Sequence, residues 1–154
     1  MRPKIIGVIG GGWCDQEIAN LAREVGRGIA ERGGFLICGG LGGVMEAACQ
    51  GAKQAGGTTI GILPGHSKKD ANPYVDIVLP TGMSEARNII IVRSSDAVIA
   101  IDGEYGTLSE ISFCLKFNVP IVGLKTWDIS EQIVKAETPA EAVEKAFQLA
   151  SKVK

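Results

Sequence analysis

The chain has 154 residues, a length typical of one domain that can bury a hydrophobic core. Its net charge of −1 excludes the basic field that nucleic-acid binding uses, and its 5% aromatic content is too low for a base-stacking surface. A membrane span of about 18 apolar residues and a signal-peptide pattern are both missing from the sequence. We therefore expect one cytoplasmic domain, residues 1–154, that binds neither nucleic acid nor membranes.

The hydrophobic pattern alternates short apolar runs with amphipathic stretches, which predicts alternating strands and helices. In chain order it predicts a strand at 5–9, a helix from near Asp15 to Gly33-Gly34, a strand at Phe35–Cys38, a helix at 43–54, a strand at Thr58–Leu63, a polar loop at 66–73, a strand at 75–79, a helix at 84–94, a strand at Ala97–Ile101, a helix at 106–117, a strand at 119–124 and a last helix ending near Ala150. The predicted fold class is α/β: a single Rossmann-like, doubly wound domain with a mainly parallel sheet flanked by helices.

The first and last helices carry the clearest start signals. Asp15 is a suitable N-cap, because its side chain can accept hydrogen bonds from the first free backbone N–H groups. Before the last helix, Thr138 is the expected N-cap and Pro139 suits the first helical position. Glu141 then completes a capping box.

The cysteines and the single histidine do not indicate a metal site. Cys14, Cys38, Cys49 and Cys114 lack C-x-x-C spacing, and we interpret them as reduced structural thiols of a cytosolic protein. No cluster of further ligand residues surrounds His66. We therefore predict that no metal is bound.

The first candidate site motif follows the second predicted strand and reads Gly39-Gly40-Leu41-Gly42-Gly43-Val44-Met45-Glu46. A strand, a glycine turn and a helix start together form an anion site, because glycines let a ligand approach the backbone and the helix N–H groups point at it. The motif matches neither G-x-G-x-x-G nor the P-loop. Tight packing of the second helix on the sheet is the alternative interpretation.

The second candidate motif follows the strand Ala97–Ile101 and reads Gly103-Glu104-Tyr105-Gly106-Thr107-Leu108-Ser109-Glu110. The Thr107 hydroxyl and the N–H groups of the first helical turn can bind phosphate oxygens, and Glu110 lies one turn into the helix. Alternatively, Thr107 is a cap and Glu110 is a favourable charge at a helix N-terminus. Both glycine turns lie at strand carboxyl ends, where sheets of this type bind ligands.

Four further features near these turns each have two interpretations. Arg87 either clamps a phosphate or carboxylate, or points to solvent. Lys68-Lys69 is either a solvated surface or a mobile lid over the ligand. Trp13 is expected to pack, with covering a base as the alternative, and His66 is expected to serve loop structure or hydrogen bonding, with ligand contact as the alternative.

Together, Gly-Gly-x-Gly-Gly-Val-Met-Glu at 39–46, Arg87-Asn88, and Gly103-x-x-Gly106-Thr107-x-x-Glu110 resemble the LONELY GUY-like superfamily over residues 5–150. Many of its members were once labelled possible lysine decarboxylases. Asn72-Pro73-Tyr74 and Thr81-Gly82-Met83 are similar to a short branch that includes molybdenum-cofactor-carrier-like proteins. The resemblance implies a homodimer or larger even homo-oligomer, with the Arg87 helix near the interface.

Enzymes of this superfamily hydrolyse a nucleoside 5′-monophosphate to the free base and ribose 5-phosphate. The resemblance implies Glu110 as the catalytic carboxylate, Arg87 as its partner, and Gly106 and Thr107 as the phosphate cradle. The family's motif, Pro-Gly-Gly-x-Gly-Thr-x-x-Glu after an Arg-Lys pair, differs here at three positions: Asp102, Glu104 and Asn88. These differences add negative charge and remove a positive one, which favours a binding protein, or an enzyme with a different ligand.

The sequence therefore predicts a protein that binds a nucleotide or a nucleotide-like phosphorylated cofactor, with molybdenum cofactor as a named candidate and no additional cofactor required. The predicted binding residues are Gly39, Gly40, Gly42, Gly43, Met45, Glu46, Gly103, Gly106 and Thr107. The alternatives are a phosphoribohydrolase that uses Glu110 and Arg87, and a non-catalytic nucleotide sensor that acts through partners. Lysine decarboxylation is rejected, because no lysine has a pyridoxal phosphate context.

Overall fold

Apolar runs rich in isoleucine and valine form a parallel sheet in the computed structural model, which describes residues 2–152. Its strands are β1 (Ile5–Gly10), β2 (Phe35–Cys38), β3 (Thr58–Leu63), β4 (Ile77–Pro80), β5 (Ala97–Ile101), β6 (Ile121–Leu124) and β7 (Val134–Ala136). They lie in the order β4-β3-β2-β1-β5-β6-β7, and every neighbouring pair is parallel. The predicted Rossmann-like α/β fold is confirmed.

Successive strands are added on one side of β1 up to β4 and on the other side from β5 onward. Strands β1 to β4 follow one another outward on one side, and β5 then returns to pair with β1 on the other side. The register places Gly10 opposite Ile101, so both strands end at the same level. This is the topological switch point, where the loops after two adjacent strands diverge and leave a crevice for a ligand.

Five helices cover the two faces of the sheet in the described part of the chain. They are α1 (Gln16–Glu31), α2 (Val44–Gln54), α3 (Arg87–Ser94), α4 (Tyr105–Phe117) and α5 (Pro139–Ala150). The apolar stripes of α1, α2 and α5 pack on one face and those of α3 and α4 on the other. The inner strands β1, β2, β5 and β6 are therefore mostly buried on both sides, which explains why they are nearly continuous apolar runs, whereas Ile77 and Leu79 of the edge strand β4 are exposed.

Both predicted N-caps form. The Asp15 carboxylate accepts a hydrogen bond from the Ile18 N–H at 2.9 Å, and the Thr138 hydroxyl accepts from the Glu141 N–H at 3.1 Å. The Glu141 carboxylate accepts a hydrogen bond from the Lys145 ammonium at 2.8 Å, so its side-chain hydrogen-bond partner lies on the next turn of α5.

Several element boundaries differ from the predicted ones. The predicted strand at 75–79 is β4, which is shifted towards Pro80, and the predicted helix at 84–94 begins with a 3₁₀ turn at Ser84–Ala86. The predicted loop at 66–73 includes a 3₁₀ turn at Lys68–Asp70. Strand β7 was not predicted, because three residues are too few to show a period of two.

Candidate functional site

A cavity of about 420 Å³ opens at the carboxyl edge of the sheet, at the switch point between β1 and β5. Its lining comes mainly from the end of β1, the turn that follows it and the N-terminal parts of three helices, and includes Gly10, Gly11, Gly12, Trp13, Met45, Glu85, Arg87, Asn88, Glu104, Gly106, Thr107 and Glu110. Residues that are remote in the sequence thus meet at one place. A volume of this size suits a small-molecule ligand.

The start of α4 presents free hydrogen-bond donors to this cavity. Glu104 is the N-cap residue, but its side chain makes no capping hydrogen bond. The first helical N–H with a backbone acceptor is that of Leu108, which donates to the Glu104 carbonyl at 3.0 Å. The N–H groups of the preceding turn therefore have no acceptor within the helix, and an anion can accept from them.

The side chains beside this helix start leave room for a ligand. A Cβ added at Gly106 would have no neighbouring protein atom within 4 Å, so the space above the turn is open. The Thr107 side chain is buried and lines the cavity one residue further on. Thr107 is the third residue of α4 and not its cap, so the interpretation of Thr107 as an N-cap is wrong.

Helix α2 also begins at the cavity without a side-chain cap. Its N-cap residue is Gly43, and the N–H of Val44 donates to the Gly11 carbonyl at 3.0 Å. By contrast, α1 and α5, whose first residues are not in the lining, both have side-chain caps. The uncapped starts of α2 and α4 thus direct their positive dipole ends towards the same space.

Arg87 is buried beneath this cavity, which contradicts the alternative that it points to solvent. Its Nε donates to the Ile62 carbonyl at 2.9 Å, and its Nη1 donates to the Asn88 side-chain oxygen. A Cβ at Gly39 would lie 2.7 Å from Arg87 Nη2, so only glycine leaves space for the guanidinium there. Arg87 is the one cationic side chain among the described lining residues.

Glu110 lines the same cavity and is buried, with 7% of the residue exposed. Burial raises the pKa of Glu110 to about 8, and the charge of Arg87 only partly opposes this rise. Arg87 and Glu110 make no direct ion pair in the described structure. At neutral pH the ligand-free protein therefore holds Glu110 mainly in its protonated form.

The glycines of the first motif hold the backbone around the cavity together. A Cβ at Gly43 would lie 2.2 Å from the Gly11 carbonyl oxygen, and one at Gly40 would lie 2.5 Å from Leu63 Cδ2. Both glycines also have positive φ angles, 65° and 77°. Of the residues predicted to bind ligand, six lie outside the cavity lining: Gly39, Gly40, Gly42, Gly43, Glu46 and Gly103.

The turn Gly10-Gly11-Gly12-Trp13 contributes to the lining but was not among the predicted site residues. The run of three glycines after a buried strand was the signal that could have identified it. Two other features lie outside the lining: the Lys68-Lys69 pair is exposed, and His66 packs its ring over Gly82. A second cavity, of about 230 Å³, lies beneath the loop between β6 and β7.

The structure also shows the state of the cysteines and bears on membrane spans and metal-binding clusters. All four cysteines are free, and three of them, Cys38, Cys49 and Cys114, are buried. Among residues 2–152, no helix has the length and hydropathy needed to cross a membrane, and no group of three metal-binding side chains is found. The predicted lack of a bound metal stays a prediction.

Comparisons with known proteins show the same architecture in cofactor-binding proteins. A molybdenum cofactor binding protein from the phototrophic bacterium Rippkaea orientalis is 39% identical with a TM-score of 0.92, over 97% of this chain and 98% of that one. The Moco carrier protein of Chlamydomonas reinhardtii is 36% identical with a TM-score of 0.89, over 99% and 100% of the two chains.

A curated enzyme is similar over a shorter region. The cytokinin riboside 5′-monophosphate phosphoribohydrolase of Mycobacterium tuberculosis is 37% identical over 99 residues, which are 62% of this chain. The match spans 52% of that enzyme's own length. These similarities confirm the predicted resemblance to LONELY GUY-like and molybdenum-cofactor-carrier-like proteins. The model of the SLOG cluster4 family matches residues 3–153, and the chain therefore belongs to that family.

Proposed function

We propose that the protein binds a nucleotide or a nucleotide-like phosphorylated cofactor in the switch-point cavity, and that molybdenum cofactor is one such ligand. The observation that carries the proposal is the uncapped start of α4, with the buried Thr107 side chain and open space above Gly106. Phosphate oxygens would accept hydrogen bonds from the free N–H groups and from the Thr107 hydroxyl. The similarity to molybdenum cofactor binding proteins over nearly the whole chain supports the choice of ligand.

Arg87 favours an anionic ligand once Glu110 is protonated, although two exposed carboxylates, Glu85 and Glu104, also line the cavity. Arg87 supplies a cation, held in place by the Ile62 carbonyl and the Asn88 side chain. Among the described residues Nη2 makes no hydrogen bond, and it lies against Gly39. Glu104 is exposed at the rim, so water can screen its charge from the ligand.

Thermal shift and product release, measured together on the purified protein, test this proposal. We expect nucleoside monophosphates or freshly released molybdenum cofactor to raise Tm without releasing ribose 5-phosphate, and the cofactor's molybdenum to co-elute with the protein. Thr107→Val keeps the side-chain volume but removes the hydroxyl, and should weaken binding about tenfold, as a charge-assisted hydrogen bond contributes ~1.5–3 kcal/mol. Unchanged Tm with every ligand, and no retained molybdenum, would contradict the proposal.

The second candidate function is hydrolysis of a nucleoside 5′-monophosphate, because Glu110 and Arg87 line the same cavity and the mycobacterial relative has this activity in its name. Water would add to C1′ of the ribose while the N-glycosidic bond breaks, and the departing base would take up the proton. A Glu110 carboxylate would stabilise the oxocarbenium-like transition state. Since burial raises the pKa of Glu110 to about 8, the rate should increase with pH up to that region.

Release of ribose 5-phosphate that disappears in Glu110→Gln would favour this second function over a carrier. A rate that falls between pH 6 and pH 9 would contradict the role of an ionised Glu110. Turnover that persists fully in Glu110→Gln would remove Glu110 from the mechanism.

We further propose that the protein acts in the cytoplasm as a homodimer associated through α3. The reducing cytoplasm would keep its four cysteines in the free form that the structure has. Along α3, the outer face has half-buried Ile89 and exposed Arg93, and Met83 just before the helix is 47% exposed. A partner copy would bury this apolar surface.

A further inference from the structure

The Trp13 side chain is 79% exposed at the mouth of the switch-point cavity. This contradicts the expectation that Trp13 packs against the protein. Tryptophan is among the most costly side chains to leave in water, because burying it removes about 150–250 Å² of surface. An exposed tryptophan that also lines a cavity is therefore a candidate for contact with a ligand.

The backbone that carries Trp13 is held firmly in place. A Cβ at Gly43 would lie 2.7 Å from the Trp13 nitrogen and 2.2 Å from the Gly11 oxygen, so the start of α2 packs directly on this turn. The hydrogen bond from the Val44 N–H to the Gly11 carbonyl, at 3.0 Å, adds to this restraint. The indole thus projects from a fixed point, which lowers the entropy lost when it contacts a ligand.

The neighbouring turn presents a second exposed aromatic ring. Tyr105, the first residue of α4, is 81% exposed, and its ring stacks on Trp127 with centroids 6.3 Å apart. The two turns are close, since a Cβ at Gly11 would lie 3.8 Å from the Gly103 Cα. Two adjacent turns therefore each carry an exposed aromatic side chain, but only Trp13 is part of the cavity lining, beside the free donors of α4.

We propose that Trp13 stacks on the ligand's heterocycle and selects a flat, fused two-ring system, such as a purine or pterin, over a bare sugar phosphate. This inference rests on the proposed function, because it assumes that the phosphate lies at the start of α4. Every fused heterocycle presents a π face to the indole, so stacking on Trp13 adds affinity for the ligand's ring system. Trp13 would then determine specificity, and the α4 start would determine phosphate affinity.

Fluorescence and binding measurements on the full chain test the inference. The chain has two tryptophans, so Trp127→Phe leaves Trp13 as the sole indole fluorophore. GMP should quench its emission, whereas ribose 5-phosphate should not. Trp13→Ala should weaken GMP binding about tenfold or more and leave the Kd of ribose 5-phosphate within about twofold, while Trp13→Phe should retain most GMP affinity.

The outcomes separate this inference from the function on which it rests. Equal GMP affinity in the wild type and Trp13→Ala, with normal ribose 5-phosphate binding, would overturn stacking but keep the phosphate site. An equal loss of affinity for both ligands in Trp13→Ala would show a structural role and also overturn the inference. If neither ligand binds the wild type, the proposed function and the inference both fail.

Discussion

Glu110 is a site residue whose acid-base chemistry the fold changes strongly. Burial raises its pKa to about 8, from about 4.5 in an unfolded chain. Between these two values the folded state holds a proton that the unfolded state releases, so the free energy of unfolding falls as pH rises through that window. The site thus has a stability cost that grows between about pH 4.5 and about pH 8 and that a neutral residue would not have.

Glu110→Gln should therefore become more stable than the wild type as pH increases. We expect similar Tm values for the two proteins near pH 5 and a Tm higher by at least about 3 °C for the variant at pH 9, since 1 kcal/mol corresponds to ~2–4 °C at this chain length. Thermal unfolding at pH 5, 7 and 9 measures the difference. The control is Glu104→Gln, whose side chain is exposed. A Tm difference that does not depend on pH would contradict the shifted pKa.

Substitution of Gly106 should change ligand binding without lowering the stability of the fold. A Cβ there would have no protein neighbour within 4 Å, and alanine is the better helix former by about 1 kcal/mol. Gly106→Ala should therefore keep or raise Tm, whereas its methyl group should obstruct the phosphate and weaken binding of a nucleoside monophosphate at least ~10-fold, as a lost charge-assisted hydrogen bond would. Titration calorimetry beside thermal unfolding checks both effects. Full affinity in this variant would place the phosphate elsewhere.

At the scale of elements, α1 and α2 cross with their backbones in direct contact. A Cβ at Gly51 of α2 would lie 1.9 Å from the Arg23 carbonyl oxygen of α1, and a Cβ at Gly26 would lie 1.8 Å from the Ala48 oxygen. Glycine is required at both positions because a helix backbone cannot move aside as a flexible side chain can. This crossing fixes α2, and with it the start of α2 at the cavity.

Gly51→Ala should destabilise the fold by at least about 2 kcal/mol, which is typical of an overpacked core, and lower Tm by roughly 4 °C or more. The matched control is Gly28→Ala in α1, where a Cβ would approach only the Val143 side chain, at 3.0 Å. Chemical denaturation of the two variants compares them. An equal, small effect at both positions would show that α2 can shift away from α1.

Most helices and strands were predictable from local sequence signals. The elements that were missed are either very short or depend on contacts that form only in the folded protein. Strand β5 is a run of five buried apolar residues, and the Asp15 and Thr138 caps act within one helical turn. Strand β7 was missed, since its three residues pair with β6 only once the sheet is assembled. The 3₁₀ turn at Ser84–Ala86 begins with a positive φ of 51° at Ser84, which no hydrophobic pattern reveals.

At the scale of the whole molecule, the proposed homodimer can be tested by placing a charge in its interface. Ile89→Asp places a charge on the outer face of α3 and should convert a dimer into a monomer of 16.1 kDa. The control is Ile129→Asp, at a residue that is 50% exposed in the loop between β6 and β7, and it should stay dimeric. Sedimentation equilibrium distinguishes the species. A wild type that sediments as a monomer would exclude the dimer.

The sequence by itself determined the α/β class, most element positions, the helix caps and the importance of Arg87, Thr107 and Glu110 as candidates. These depend on periodicity, on contacts within one helical turn or on motif resemblance. Only the tertiary structure decided that the turn after β1 lines the cavity, that Gly39 to Gly43 pack around it, and that Trp13 is exposed. Those properties arise where β1 and β5 become neighbours, and a pairing between residues about 90 positions apart leaves no local pattern in the chain.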